Sequence, residues 1–106
     1  MENNEDTILD EEILLALEAQ KDQFIKLYPN PFQSQLLVNY ELNNDANVTV
    51  EIYSYVGTDR KTIVSNQRQL AGKHSFNVDG SNLAKGLYII KVTANDQVHT
   101  KMIVKE

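Results

Sequence analysis

Two imidazoles, His74 and His99, are the groups of this 106-residue chain best suited to move a proton near neutral pH. A hydrolase would hold one of them within hydrogen-bond reach of an activated hydroxyl. No nucleophile-elbow pattern of the Gly-x-Ser-x-Gly kind accompanies either. Cysteine is absent, which removes thiolate catalysis, soft metal ligation and a disulfide framework together. Asp79, Ser81 and Asn82 around Gly80 offer oxygens to calcium, but the later bidentate glutamate of an EF-hand loop is missing. Those residues read as an Asx turn and the histidines as solvent-facing strand residues. The inventory therefore predicts a non-enzyme with no catalytic residue, no metal and no cofactor.

Five tyrosines and three phenylalanines, without tryptophan, raise the chemistry of sugar stacking. Tyr28, Tyr40, Tyr88 and Phe76 fall at positions that suit a core. Only Tyr53 and Tyr55 are expected to face solvent, a weak platform at most.

From Phe24 onward the hydrophobic period is two, the period of strands. Leu36, Val38, Tyr40 and Leu42 alternate with Leu37, Asn39 and Glu41; Val48, Val50 and Ile52 alternate with Thr49, Glu51 and Tyr53. Strands are predicted at residues 24–28, 35–42, 47–55, 60–65, 73–78, 87–94 and 98–105. Tyr88, Ile90, Val92 and Ala94 form the next inward row, with Met102 and Val104 completing the last. Turn chemistry separates the runs at Asn43-Asn44-Asp45, Val56-Gly57-Thr58-Asp59, Asp79-Gly80-Ser81-Asn82 and Asn95-Asp96. Seven short strands at this spacing predict an all-β fold, an immunoglobulin-like antiparallel β-sandwich over residues 24–106.

Residues 1–23 differ in kind. Leu9, Ile13 and Leu17 recur at helical spacing with Leu14 beside them, and Thr7 with Asp10 makes a capping box, so a short amphipathic helix is predicted over Thr7 to Gln23. An isolated helix of this length is marginal in water, which suits a linker or the last element of an upstream domain. The segment carries one basic against eight acidic residues, a net of −7; the remainder carries nine basic against seven acidic, a net of +2. The basic residues are scattered singly, which argues against nucleic-acid binding. The longest apolar run, Ile13 to Leu17, is far short of the roughly twenty residues of a membrane span. An acidic amino terminus is not a secretory signal, so an exported form is expected to be the last part of a longer precursor.

The stretch Val98 to Lys105 closes the sequence with Lys101 and Lys105 flanking Met102-Ile103-Val104. At a sheet edge its main chain would be open to another strand. The two lysines would also discourage edge-to-edge aggregation. A signal at this position would become available only once the rest of the chain has been made.

Ahead of it stand two further motifs. Tyr28-Pro29-Asn30-Pro31-Phe32 fixes φ twice and removes two backbone donors. Leu83-Ala84-Lys85-Gly86-Leu87-Tyr88 sets a glycine just before an alternating strand. Together with Ile52-Tyr53 and Gly57, and with Lys101 through Lys105, these segments resemble, in order and spacing, the C-terminal sorting domain of type IX secretion system cargo, over about Phe24 to Glu106. Glu106 departs from the basic or apolar residue on which such domains often stop.

The resemblance implies that Tyr28, Pro29, Asn30, Pro31, Gly57, Leu83, Gly86 and Tyr88 form a sorting motif, and that Lys101, Met102, Ile103, Val104 and Lys105 form the strand that the translocon recognises. It implies passage through the periplasm and arrival at the cell surface or outside the cell. The implied partners are the translocon, shuttle and sortase proteins and an upstream cargo domain in the same precursor; the domain itself would not insert in the membrane. A cysteine-protease-type sortase would cleave within Gln20, Lys21, Asp22, Gln23, Phe24, Ile25 and Lys26, releasing the cargo or anchoring it to lipopolysaccharide. The alternative class is an immunoglobulin- or fibronectin-like spacer, or a carbohydrate-binding module, of a surface enzyme or adhesin.

Overall fold

The computed structural model describes residues 23–56 and 60–106. Within them the chain forms seven strands: β1 (Lys26–Tyr28), β2 (Gln35–Leu42), β3 (Ala46–Ser54), β4 (Arg60–Gln69), β5 (Gly72–Asp79), β6 (Gly86–Ala94) and β7 (Gln97–Lys105). They build two antiparallel sheets, ordered β1-β2-β5 and β4-β3-β6-β7. The expected helix lies outside the described residues except for Gln23, as does Gly57.

Alternation decides which side of each strand is dry. Leu36, Val38, Tyr40 and Leu42 of β2 are buried, as are Ala46, Val48, Val50 and Ile52 of β3 and Tyr88, Ile90 and Val92 of β6. Ile25, Leu27, Phe32, Val78 and Ile103 complete the layer between the sheets. Each buried Val, Leu, Ile or Phe among them stabilises the fold by about 1.5–3 kcal/mol before chain entropy is subtracted. The chain changes sheets between β4 and β5 through Leu70 and Ala71. Two bonds fasten this crossing: Tyr40 Oη donates to Gln69 Oε1 at 2.7 Å and the Ala71 N–H to Asp45 Oδ1 at 2.8 Å.

Two expected core assignments are corrected. Tyr28 is 49 % exposed, because Ile25 and Leu27 take the inward positions beside it and leave Tyr28 on the opposite face. Along β7 the inward residues are Ile103 and Lys105, both buried, whereas Val104 is 39 % exposed and Met102 half-buried. The ladder fixes this phase by pairing Ile103 with inward Tyr88 and Val104 with Leu87. A slip of one residue reverses every side chain, so Met102 and Val104 stand on the outer face.

Strand limits move by a residue or two except in β4, which continues from the expected Ser65 to Gln69. It does so past Asn66, whose φ is +45° and whose N–H donates to Thr49 Oγ1 at 3.0 Å. The β3–β4 register shifts between Val48 and Val50. Asparagine tolerates this backbone, and the irregularity lets a polar edge strand run on.

Candidate functional site

The histidines are not on the surface as expected. Phe24 stacks on His99 with centroids 3.9 Å apart and on Tyr40 at 5.6 Å; Tyr40 meets His74 at 5.7 Å and Phe76, edge-on, at 6.0 Å. Both rings are half-buried in an aromatic cluster at one end of the sandwich. His74 Nε2 also lies 2.7 Å from the Leu70 carbonyl oxygen. Inward positions on β5 and β7 put the rings there: His74 pairs with Tyr40, and His99 with Val92. The ring contacts of His74 and His99 with Tyr40 and Phe24 are those of packing aromatics. Burial pushes the Tyr40 phenol above its ordinary value, opposed by the hydrogen bond to Gln69.

Asp79 does form the Asx turn: Ser81 N–H donates to Asp79 Oδ1 at 3.0 Å. That bond, then the Ser81 side chain, holds the Asp79 carboxyl below the usual carboxylate range. Among the described residues no three His, Cys, Asp or Glu side chains are grouped to hold a metal ion. Tyr53 carries the Arg60 guanidinium 4.7 Å above its ring, and Arg60 reaches Glu51 at 3.4 Å. One ring face of the expected sugar platform is thereby occupied.

At the other end of the sandwich the separate motifs converge. After exposed Tyr28, the chain turns through Pro29, Asn30 and Pro31, with Tyr28-Pro29 and Asn30-Pro31 both cis, and drops Phe32 into the core. The Phe32 ring packs so closely on Gly80 that a Cβ there would lie 2.6 Å from it; Leu83 bounds the same space. The Phe32 N–H donates to the Val104 carbonyl at 2.9 Å and its carbonyl accepts from Glu106 N–H at 2.8 Å, a parallel bridge around Lys105. Lys105 in turn faces Gly86, and Tyr88 faces Ile103. The Tyr88 hydroxyl donates to the Ala84 carbonyl at 2.6 Å. Gly86 has φ +148° with open space around it, so its backbone conformation is what calls for glycine.

Phe32 and Gly80 are the residues whose weight the sequence did not reveal. A lone phenylalanine after Pro31 and a glycine in an Asp-Gly turn signal a turn and nothing more.

β7 lies at the edge of the four-stranded sheet. Its inner face presents His99, Lys101, Ile103 and Lys105; its outer face presents Val98, Thr100, Met102 and Val104. On that outer face the ladder aligns Tyr53, Ile89 and Met102 in one row and Leu87 with Val104 in the next, with Tyr55 N–H bonded to the Leu87 carbonyl at 2.8 Å. A solvated sheet face is ordinarily polar. Here it is a contiguous apolar strip running to the edge, the kind of surface that marks a protein-binding site.

Of the predicted cleavage region, Gln20, Lys21 and Asp22 lie outside the described residues. Gln23 is exposed, Phe24 is in the aromatic cluster, Ile25 is fully buried and Lys26 begins β1 opposite Asn39.

The family model of the secretion system C-terminal sorting domain matches residues 26–106. No curated protein matches the chain.

Proposed function

The chain belongs to the secretion system C-terminal sorting domain family, the type IX sorting signal, and from that premise we propose that β7 and the apolar strip beside it are the surface its export machinery reads. The domain directs export toward the cell surface or the extracellular space, is recognised by the type IX machinery, and belongs to a non-catalytic family. The observation that carries the proposal is the outward placement of Met102 and Val104 on an edge strand, continuous with Ile89, Leu87 and Tyr53. Lys101, Ile103 and Lys105 serve the same strand from its inner face, where Ile103 anchors it in the core.

The Tyr28-Pro29-Asn30-Pro31 segment, Leu83, Gly86 and Tyr88 then have a supporting role. They hold the Lys105 end of β7 through Phe32 and Gly80, and among the described residues no strand pairs with the rest of the edge. The finer architecture is immunoglobulin-like: first, second and fifth strands in one sheet face third, sixth and seventh in the other, with the fourth joining the third instead of the fifth. The unit begins at Phe24, a boundary supported by fully buried Ile25. Cleavage by the sortase falls on the amino-terminal side of Phe24, since a protease binds an extended segment and Phe24 to Lys26 are packed or paired. Transit through the periplasm and an upstream cargo domain complete the proposal.

Fusing residues 24–106 to a periplasmic reporter tests it. The reporter is expected outside cells that have the translocon, and removing Met102 to Glu106 is expected to keep an active reporter inside. Retention of the intact fusion in the periplasm would refute sufficiency.

A further inference from the structure

The β6–β7 register is unbroken from Gln97 to Lys105, so main-chain direction alternates strictly along β7. Val104 and Glu106 point away from β6, because their carbonyl and N–H groups bond Phe32. By the same alternation the N–H and C=O groups of Val98, Thr100 and Met102 also point off the edge, while those of His99, Lys101 and Ile103 point into the ladder. Among the described residues no strand pairs with this stretch. Phe32 shows that main chain fits beside β7, and it closes the edge at the Lys105 end. Among the described residues no main chain lies beside Val98, Thr100 and Met102, in a stretch of about 17 Å of strand.

Resting on the sorting reading, we infer that the export machinery engages β7 by strand addition. An extended polypeptide segment, apolar on its outward-facing side chains, pairs its backbone with Val98, Thr100 and Met102. Two observations choose this occupant. The groups that meet no partner among the described residues form a regular row that another main chain matches. The outer strip of Tyr53, Ile89 and Met102 stops at the edge, so an added strand with apolar outward residues continues it.

Proline provides the test, because it deletes an N–H without touching the ladder when that N–H points outward on an edge strand. Thr100→Pro and Val98→Pro, in the fusion of residues 24–106 to a reporter, are expected to keep the domain's thermal midpoint within a few degrees and lower export by about tenfold or more. Thr100→Ala, which keeps the N–H, is expected to export normally. Normal export of folded Thr100→Pro overturns strand addition, and loss of export in Met102→Glu beside it leaves the sorting reading standing. Failure of the unmodified fusion to leave the cell defeats the sorting reading itself.

A second measurement serves if the proline variants do not fold. Amide exchange of the unaltered domain is followed with detergent-solubilised outer membranes from cells with and without the translocon. Slowed exchange at Thr100 and Met102 only with the former supports the inference; unchanged exchange overturns it.

Discussion

Phe32 does more for this domain than its place in a proline-rich turn suggests. One fully buried ring fills the space beside Gly80 and Leu83, and its backbone carries the bridge to β7. Gly80→Ala would drive a methyl group into that ring, and relief requires displacing a residue tied to Val104 and Glu106. The expected loss is about 1–3 kcal/mol, read as a lowered thermal midpoint. Tyr40 makes part of the stability depend on pH in the alkaline range. Its phenol is raised by burial, so the folded state holds the proton more tightly than the unfolded chain does. That stabilisation is complete below the ordinary value of about 10 and is lost as pH rises through the raised folded value. Urea midpoints measured against pH are expected to fall less steeply above pH ~10 in Tyr40→Phe than in the unaltered domain.

At the scale of elements, the strands whose two faces differ sharply in polarity were legible in the sequence. Leu36 to Leu42, Val48 to Ile52 and Tyr88 to Val92 announce their buried rows by alternation alone, and the structure buries those rows. β7 was not legible in the same way. Met102, Ile103 and Val104 are three apolar residues in succession, so either phase satisfies the pattern, and only pairing with Tyr88 on β6 selects Ile103 for the core. Tyr28 fails for a related reason: in a strand of three residues the phase is set by Ile25 and Leu27. The histidines were misplaced because an imidazole suits either a wet or a half-dry position, and their stacking on Phe24 and Tyr40 joins segments far apart in sequence. The corrected phase has a direct consequence. Ile103→Ala is expected to destabilise by about 2–5 kcal/mol through the cavity it opens. Val104→Ser, on the outer face, is expected to change stability by about 0.5 kcal/mol or less in chemical denaturation while reducing export.

For the molecule as a whole, the segment from Phe24 to Phe32 holds β7 near both ends. Phe24 stacks on His99 near its start, and Phe32 bridges Lys105 at its finish. The strand is therefore fixed in register while no described strand pairs with the outer edge of its middle, a state suited to recognition of a folded domain. The motif order in the sequence pointed to this family. What it could not show is that the Tyr-Pro-Asn-Pro turn and the Leu-x-x-Gly-x-Tyr segment act on the same end of the same strand, since that proximity exists only after the sheets form. Recognition of the domain is expected to depend on the outward side chains of β7. The most direct measurement is the amount of reporter outside translocon-bearing cells when residues 24–106 carry Met102→Glu and Val104→Glu together, with the fold checked by thermal melting. A folded domain with about a tenfold or greater loss of external reporter is expected; a folded double variant exported as well as the unaltered domain would rule out the outer strip as the recognised surface.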